Sequence, residues 1–379
     1  MIKIGITGQS GFVGTHLFNT LCLDKEAFET IHFDDHFFSD VNLLEKWVSK
    51  CDVIVHLAAL NRHNDPEVIY NTNILLVKQL ITALEKTNSF PHVLFSSSTQ
   101  EELDTIYGES KKEGRKLLEY WAQKNNTKFS GLVIPNVYGP FGNPYYNSVV
   151  ATFCHQLTHN ENPQINVNNE LKLIYVGELV NVIINEIHAK FKFGQQIEII
   201  DTIKVNHTVT ISVSDLLKKI ESLRDIYFNK GEIPSINNEF ERNLFYTFLS
   251  YIDHKIFFPY YLTKHTDNRG SFVETMRLGC GGQISFSATI KGVTRGNHFH
   301  TRKTERFAVI KGDALIELRK IGSDEVLSFN LNGEQPSFVD MPVWYTHNIK
   351  NIGTEDLYTI FWINEFFDPS DPDTYFEKV

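Results

Sequence analysis

The sequence has few cysteines, no long hydrophobic run and a deficit of basic residues. Its four cysteines, spread over 379 residues, fit neither a disulfide framework nor a C-x-x-C metal site; they are Cys22, Cys51, Cys154 and Cys280. No run of about eighteen apolar residues occurs, and no apolar segment with a small-residue cleavage site precedes the first predicted strand. We therefore expect a cytoplasmic protein that does not insert into a membrane.

The charge and the composition exclude two further classes. The 36 Lys and Arg against 46 Asp and Glu give a formal charge of −10, which opposes binding to a phosphate backbone, so we expect no nucleic-acid partner. A hydrophobic content of 42% excludes a disordered chain. At about 150 residues per domain, the length predicts two or three domains.

The two halves of the chain have different hydrophobic patterns. Short apolar runs near residues 2–6, 53–57 and 93–95 alternate with amphipathic stretches such as 68–84 and 109–123. This alternation predicts an α/β Rossmann-type, doubly wound parallel sheet. After about residue 270, short alternating segments separated by Gly or Asn predict an all-β sandwich or small barrel.

The predicted domain bounds follow from this change. We expect a nucleotide-binding domain over residues 1–243, an aromatic-rich connector over 244–262 and a β domain over 263–379. The connector is too apolar for a flexible linker. Its rings either join the domains or subunits, or fill the core of the second domain.

A glycine-rich turn follows the first predicted strand. Residues 7–14 read TGQSGFVG, and glycines at this place allow a tight turn and a close approach of a pyrophosphate to a helix N-terminus. Asp34 lies 20 residues beyond Gly14, where a carboxylate would accept hydrogen bonds from a ribose 2′-hydroxyl and repel a 2′-phosphate. The turn predicts a dinucleotide cofactor, and Asp34 favours NADH.

A tyrosine and a lysine form a second candidate group. Tyr107 and Lys111 are four residues apart, so they share one face of a helix, and the ammonium group is expected to lower the pKa of the phenol. Tyr107 is therefore a candidate proton donor. Three serines, residues 96–98, precede it at the end of a predicted strand.

Together the glycine turn, HLAA at 56–59, the serines, YGESK at 107–111 and PNVYGP at 135–140 resemble the extended short-chain dehydrogenase/reductase family. The resemblance implies that Ser98 holds a substrate carbonyl, that Tyr107 transfers its proton and that Lys111 binds the nicotinamide ribose. Only eight residues separate Ser98 from Tyr107, fewer than is usual in the family, so Ser96 and Ser97 stay open as alternatives. The implied cofactor residues are Gly8, Gly11, Phe12, Val13, Gly14, Asp34, Leu57, Ala58, Tyr107, Lys111 and Pro135, and the candidate substrate contacts are Asn61, Arg62 and Asn136.

A histidine cluster marks the second half. His298 and His300 are two apart and point to one side of a strand, with Glu305 and His347 within reach. Such ligands suit zinc and equally Fe(II), Mn(II) or Ni(II). The pattern G-x5-H-x-H-x4-E-x6-G resembles the cupin family, which implies a β-barrel with a metal, expected to be zinc, inside. The sequence departs from that family at Trp344, where glycine is expected.

Further runs are YNSVVATF at 146–153, NEFFDP at 364–369 and PDTYF at 372–376. With them, the chain over its whole length resembles the CapF-type bifunctional enzymes of capsule and O-antigen synthesis. The resemblance implies a homodimer that uses NADPH, against the NADH that Asp34 favours, and a UDP-4-hexulose substrate that is epimerised at C3 and then reduced at C4. Two alternatives remain: a reductase whose cupin domain is structural, and a non-catalytic sensor that binds a nicotinamide nucleotide.

Overall fold

The computed structural model describes residues 1–189 and 199–379, which form two compact units. The first unit comprises Met1–Thr152 and Val167–Val213, and the second comprises Phe153–Asn166 and Ser214–Val379. Residues 244–262, the predicted connector, belong to the second unit. The domain bounds inferred from the sequence stay a prediction, because compactness alone does not define a domain.

The first unit is built on parallel strands that alternate with helices. Its elements, of which α5 belongs to the second unit from Phe153 on, are β1 (Ile2–Thr7), α1 (Phe12–Leu21), β2 (Phe28–Ile31), a 3₁₀ helix (Asp35–Ser39), α2 (Val41–Val48), β3 (Val53–His56), α3 (Pro66–Lys86), β4 (His92–Ser98), a 3₁₀ helix (Thr99–Glu102), α4 (Ile106–Asn125), β5 (Phe129–Ile134), β6 (Asn136–Tyr138), α5 (Val149–Thr158), β7 (Glu170–Tyr175), α6 (Val176–Ala189), β8 (Ile200–Lys204) and β9 (Val209–Ser212). Six strands form a parallel sheet in the order β2-β1-β3-β4-β5-β8. A smaller sheet has the order β6-β7-β9.

Alternate residues of the six-stranded sheet enter two hydrophobic cores. Val53 and Val55 pack in one core with side chains of α1 and α6, whereas Ile54 packs in the other with side chains of α2, α3 and α4. Because both faces are covered, the central strands β3 and β5 are buried at every residue rather than at alternate ones. The predicted doubly wound parallel sheet is confirmed.

The second unit combines helices with antiparallel sheets. Its further elements are α7 (Val213–Leu223), a π-helix (Arg224–Phe228), α8 (Glu239–Leu249), α9 (His254–Phe257), β10 (Tyr260–Tyr261), β11 (Lys264–Asp267), β12 (Gly270–Val273), β13 (Gln283–Thr289), β14 (Thr294–Phe299), β15 (Glu305–Lys311), β16 (Asp313–Lys320), β17 (Val326–Asn332), β18 (Ser337–Met341), β19 (Tyr345–Asn351), β20 (Leu357–Ile363) and β21 (Tyr375–Phe376).

Two five-stranded sheets of this unit have the orders β10-β18-β15-β20-β13 and β17-β16-β19-β14-β21, and β11 pairs with β12 as a hairpin. Side chains of both five-stranded sheets share one core, among them Val309, Val339, Ile316 and Ile349. The predicted change to antiparallel β structure is confirmed. Within the described ranges, no helix has both the length and the apolar character needed to cross a membrane.

Candidate active site and metal centre

A cavity of about 870 Å³ opens in the first unit where β1, β3, β4 and β5 end. The carboxyl ends of parallel strands meet at this edge, which is where ligands bind in doubly wound sheets. All the predicted catalytic, cofactor and substrate residues lie on its wall except Asp34 and Arg62. Those on the wall are Gly8, Gly11, Phe12, Val13, Gly14, Leu57, Ala58, Asn61, Ser98, Tyr107, Lys111, Pro135 and Asn136.

The glycine turn shapes one end of the cavity. Gly8 has φ +68°, and a Cβ atom there would lie 2.9 Å from the backbone nitrogen of Ala58, so only glycine fits without strain. The backbone N–H of Gly11 donates to the carbonyl oxygen of Gly8 over 3.0 Å, and α1 begins at the next residue. The turn therefore presents backbone and a helix N-terminus to the cavity, a cradle that suits a pyrophosphate.

The start of α4 places Tyr107 and Lys111 in the cavity. Thr105 caps this helix, since its Oγ1 accepts a hydrogen bond of 3.1 Å from the backbone N–H of Gly108. One turn further on, Lys111 Nζ lies 5.8 Å from the centre of the Tyr107 ring and donates to the Ser96 carbonyl oxygen over 2.8 Å. The predicted helical pairing of the two side chains is present.

The predicted lowering of the Tyr107 pKa is wrong for the chain by itself. Burial, with a smaller contribution from Tyr146, raises the pKa of Tyr107 to about 12. Burial also lowers the pKa of Lys111 to about 7, so near neutral pH this amine carries only part of a positive charge. Desolvation of both groups outweighs the attraction on which the sequence argument relied. A phenol that keeps its proton is nevertheless in the state that a proton donor requires.

The three serines differ in what their hydroxyl groups donate to. Ser96 Oγ donates to the His56 carbonyl oxygen over 3.2 Å, and Ser97 Oγ donates to a carboxylate oxygen of Glu101 over 2.6 Å. Ser98 Oγ instead accepts from the backbone N–H of Gln100 over 3.2 Å, and no acceptor for its own hydrogen lies among residues 1–189 and 199–379. Ser98 is therefore the serine best able to donate to a substrate oxygen.

Asp34 lies off the cavity wall because it caps a helix. Its carboxylate accepts a 3.0 Å hydrogen bond from the backbone N–H of His36 at the start of the 3₁₀ helix, and this contact holds the pKa of Asp34 below its usual value. The next residue, Asp35, lines the cavity. The carboxylate available to a cofactor is thus displaced by one residue from the predicted one.

Arg62 holds a loop rather than lining the cavity. Its Nη1 donates to the carbonyl oxygens of Tyr145 and Tyr146 over 2.8 and 3.0 Å. Tyr145 has φ +58°, a conformation that these bonds support. Tyr146 lines the cavity and acts on the pKa of Tyr107, and the sequence argument did not assign it a role. The signal that could have found it is its place at the start of the run YNSVVATF, residues 146–153, one of the segments in which the chain resembles the CapF-type enzymes.

In the second unit, the four predicted metal ligands come together. One ligand atom from each of His298, His300, Glu305 and His347 lies within 4.8 Å of the others. Glu305 Oε2 is 3.0 Å from His347 Nε2 and 3.5 Å from His300 Nε2. These three atoms are buried and lack a well-formed hydrogen bond. Since buried polar atoms rarely stay unpartnered, the donor set fits a cation.

The hydrogen bonds of the Nδ1 atoms of His300 and His347 also fit a metal centre. Nδ1 of His300 faces the carbonyl oxygen of Asp373, and Nδ1 of His347 lies 3.3 Å from the carbonyl oxygen of Tyr345. A carbonyl only accepts, so Nδ1 carries the proton in each neutral ring and Nε2 offers its lone pair to the centre. Two lone pairs beside a carboxylate oxygen repel one another unless a cation or a proton lies between them.

Trp344 has the backbone conformation that the expected glycine would adopt. Its φ is +64°, its ring is buried against Phe299, and its N–H donates to the His300 carbonyl oxygen over 2.8 Å. The large side chain thus pays a conformational cost that stacking offsets. The turn before His347 therefore has a positive φ at a residue other than glycine.

Comparisons with known proteins match a family model to each of the two parts of the chain. The family model "NAD dependent epimerase/dehydratase family" matches residues 4–199, and "Polysaccharide biosynthesis C-terminal domain" matches residues 265–375. A Pseudomonas aeruginosa protein named UDP-2-acetamido-2,6-beta-L-arabino-hexul-4-ose reductase is 32% identical over 99% of this chain and 98% of its own length. The chain belongs to the NAD dependent epimerase/dehydratase family. It is a CapF-type member, as the motifs predicted.

The similarity to solved structures covers the whole chain. The crystal structure of the capsular polysaccharide assembling protein CapF from Staphylococcus aureus is 34% identical, covers 100% of both chains and has a TM-score of 0.61. UDP-glucose 4-epimerase of Thermotoga maritima, at 19% identity, covers 66% of this chain with a TM-score of 0.55 and shows the fold alone. Membership of the family implies a nicotinamide cofactor, and the glycine turn described above fits one.

Proposed function

We propose that the protein is a bifunctional nucleotide-sugar enzyme, with a 4-ketoreductase in the first unit and a metal-assisted 3-epimerase in the second. The observation that carries the proposal is the presence in one chain of two built sites. One is a cavity that combines a glycine turn with Ser98, Tyr107 and Lys111, and the other is the buried cluster of three histidines and Glu305.

The reductase step follows from the groups on the cavity wall. A nicotinamide cofactor bound at the glycine turn would supply the hydride that reduces the C4 ketone of the sugar. Tyr107, whose phenol is protonated at neutral pH, gives this proton to the C4 oxygen, so the product is an alcohol. Ser98 donates a hydrogen bond to the same oxygen and stabilises the charge that develops there. Asn61 and Asn136 are the proposed contacts to the sugar.

The epimerase step requires no redox change. The C4 ketone acidifies the neighbouring C3–H bond, so C3 can lose its proton and regain one on the opposite face while C4 is still oxidised. A bound divalent cation, proposed to be zinc, would supply positive charge that stabilises the negative charge developing on the sugar. His298, His300, Glu305 and His347 would hold that cation. Reduction at C4 afterwards removes the acidity and fixes the configuration.

The proposed substrate is UDP-2-acetamido-2,6-dideoxy-L-arabino-4-hexulose, and the proposed product is UDP-N-acetyl-6-deoxy-L-talosamine. The name of the Pseudomonas relative supports the substrate, and the description of the Staphylococcus protein supports a role in capsule synthesis. The Pseudomonas name mentions a reductase only, which favours a second candidate, a 4-ketoreductase whose C-terminal, cupin-like unit is structural.

We also propose a homodimer. Ile284 and Phe286 on β13 and Phe272 on the β11–β12 hairpin are between 58% and 73% exposed, although their side chains are large and apolar. Exposed apolar side chains on an edge strand are typical of a surface that a partner covers. A second copy of the chain is the partner that the family resemblance implies.

Two substitutions test the assignment of one step to each unit. Tyr107→Phe should abolish ketone reduction and leave binding of the nicotinamide cofactor intact, while C3 exchange continues. His298→Ala should abolish C3 exchange and leave reduction of a simple 4-ketosugar intact. If His298→Ala forms the same reduced product from the 4-hexulose at the wild-type rate, the bifunctional proposal is wrong, and the second candidate is favoured.

A further inference from the structure

The C-terminal segment, residues 364–374, contacts the loop that carries His300. Lys303, which is buried, donates from Nζ to the Pro372 carbonyl oxygen over 2.7 Å, and the Thr304 N–H donates to Asn364 Oδ1 over 2.7 Å. Arg302 Nη2 lies 2.8 Å from a carboxylate oxygen of Asp371. The loop between β14 and β15 is therefore fixed by residues about 60 to 70 positions later in the chain.

Asp373 makes the densest set of these contacts. It is 3% exposed, and its Oδ1 accepts from Thr301 Oγ1 over 2.7 Å and from the Thr301 N–H over 3.1 Å. Its Oδ2 accepts from the Arg302 N–H over 3.0 Å. A buried carboxylate is costly unless it is well hydrogen-bonded, and here both oxygens have donors.

The backbone of the same residue reaches the proposed metal centre. The Asp373 carbonyl oxygen accepts a hydrogen bond from His300 Nδ1, and the residue has φ +41°. The carboxylate thus holds the turn, and the turn aims the carbonyl at the imidazole. Because this bond fixes the proton on Nδ1, it leaves the lone pair of Nε2 facing Glu305 and His347.

We propose that Asp373 is a positioning residue for the metal centre: its carboxylate fixes the C-terminal segment so that its carbonyl holds His300 in the metal-binding tautomer and orientation. The inference rests on the proposed metal site. It assigns a function to the C-terminal segment, which contributes none of the four ligands.

The test compares Asp373→Asn with Asp371→Asn in the full-length chain. Asparagine tolerates a positive φ as well as aspartate does. Its NH₂ group, however, would face the backbone N–H of either Thr301 or Arg302, and two donors cannot form a hydrogen bond. Asp371→Asn removes the same charge from the same segment but touches only the exposed side of Arg302. Affinity for Zn²⁺ alone is measured on metal-stripped protein by competition with a chromogenic chelator.

We expect Asp373→Asn to bind Zn²⁺ about 10- to 100-fold more weakly, as is typical of partners that orient a metal-bound histidine, and Asp371→Asn to bind like the wild type. Equal affinities for all three proteins, or an equal loss in both variants, would overturn the positioning role. If Asp373→Asn does not fold, Thr301→Val decides, because it removes one donor to the carboxylate: weaker binding supports the role, and unchanged binding contradicts it. A wild-type chain that binds no Zn²⁺ would instead refute the metal site itself.

Discussion

The side-chain nitrogen of Lys111 lies 2.8 Å from the carbonyl oxygen of Ser96 and 5.8 Å from the centre of the Tyr107 ring. Lys111 is thereby fixed between the end of β4 and the candidate proton donor. It is buried, with 3% of its surface exposed, and the burial moves its pKa from the ordinary 10.5 to about 7.

This burial predicts a pH-dependent stability. Between about pH 7 and pH 10.5 the unfolded chain holds the Lys111 proton more tightly than the folded chain, so the stability of the folded state rises with pH in that window. The slope for one proton is at most about 1.4 kcal/mol per pH unit. Lys111→Met should remove this contribution. Urea unfolding of both proteins at several pH values checks it, and parallel pH curves would show that the pKa is not lowered.

Ser98 and Ser97 should differ in their effect on turnover. Ser98→Ala removes the hydroxyl that is free to donate to a substrate oxygen, so we expect kcat to fall by about 10²- to 10³-fold, the usual effect of losing one such donor. Ser97→Ala removes only the bond to Glu101, which Arg115 still holds through two nitrogens. Steady-state kinetics of the two variants make the comparison. A larger loss for Ser97→Ala would move the catalytic role to that residue.

The choice between NADH and NADPH should depend on Asp35. Its position on the cavity wall places a carboxylate where a 2′-phosphate would be repelled. Asp35→Asn should therefore raise kcat/KM for NADPH relative to NADH. Asp34→Asn is the matched control, since its amide oxygen can still accept from the His36 N–H and the substitution leaves the charge on the cavity wall unchanged. A shift of the cofactor ratio in Asp34→Asn alone would restore the residue predicted from the sequence.

The sequence was informative where local patterns place residues. The glycine turn at Gly8 and the Tyr107–Lys111 pair both follow strands of the parallel sheet. Because the carboxyl ends of these strands meet at one edge, the sequence alone predicts that the two motifs lie close together. The two-residue spacing of His298 and His300 predicted rings on one side of a strand, but β14 ends at Phe299 and His300 lies in the loop after it. The two rings nevertheless meet in the ligand cluster. The cavity and the cluster of ligands follow from these patterns.

Other features depend on contacts between distant parts of the chain. Arg62 bonds to carbonyl groups more than 80 residues away, and His300 bonds to a carbonyl 73 residues away, so no local pattern reveals either contact. Similarly, the pKa of Tyr107 depends on its burial, which its spacing to Lys111 does not report. The one-residue change from Asp34 to Asp35 is decided by which carboxylate caps the short helix.

The central claim is that two sites act in sequence on one sugar. Its most direct test incubates the purified enzyme with the UDP-4-hexulose in deuterium oxide without a nicotinamide cofactor, and then adds NADPH or NADH while the nicotinamide absorbance is followed. We predict deuterium at C3 before the cofactor is added and oxidation of the cofactor afterwards. Oxidation of the cofactor without prior exchange at C3 would contradict the account and leave a reductase with a structural C-terminal unit.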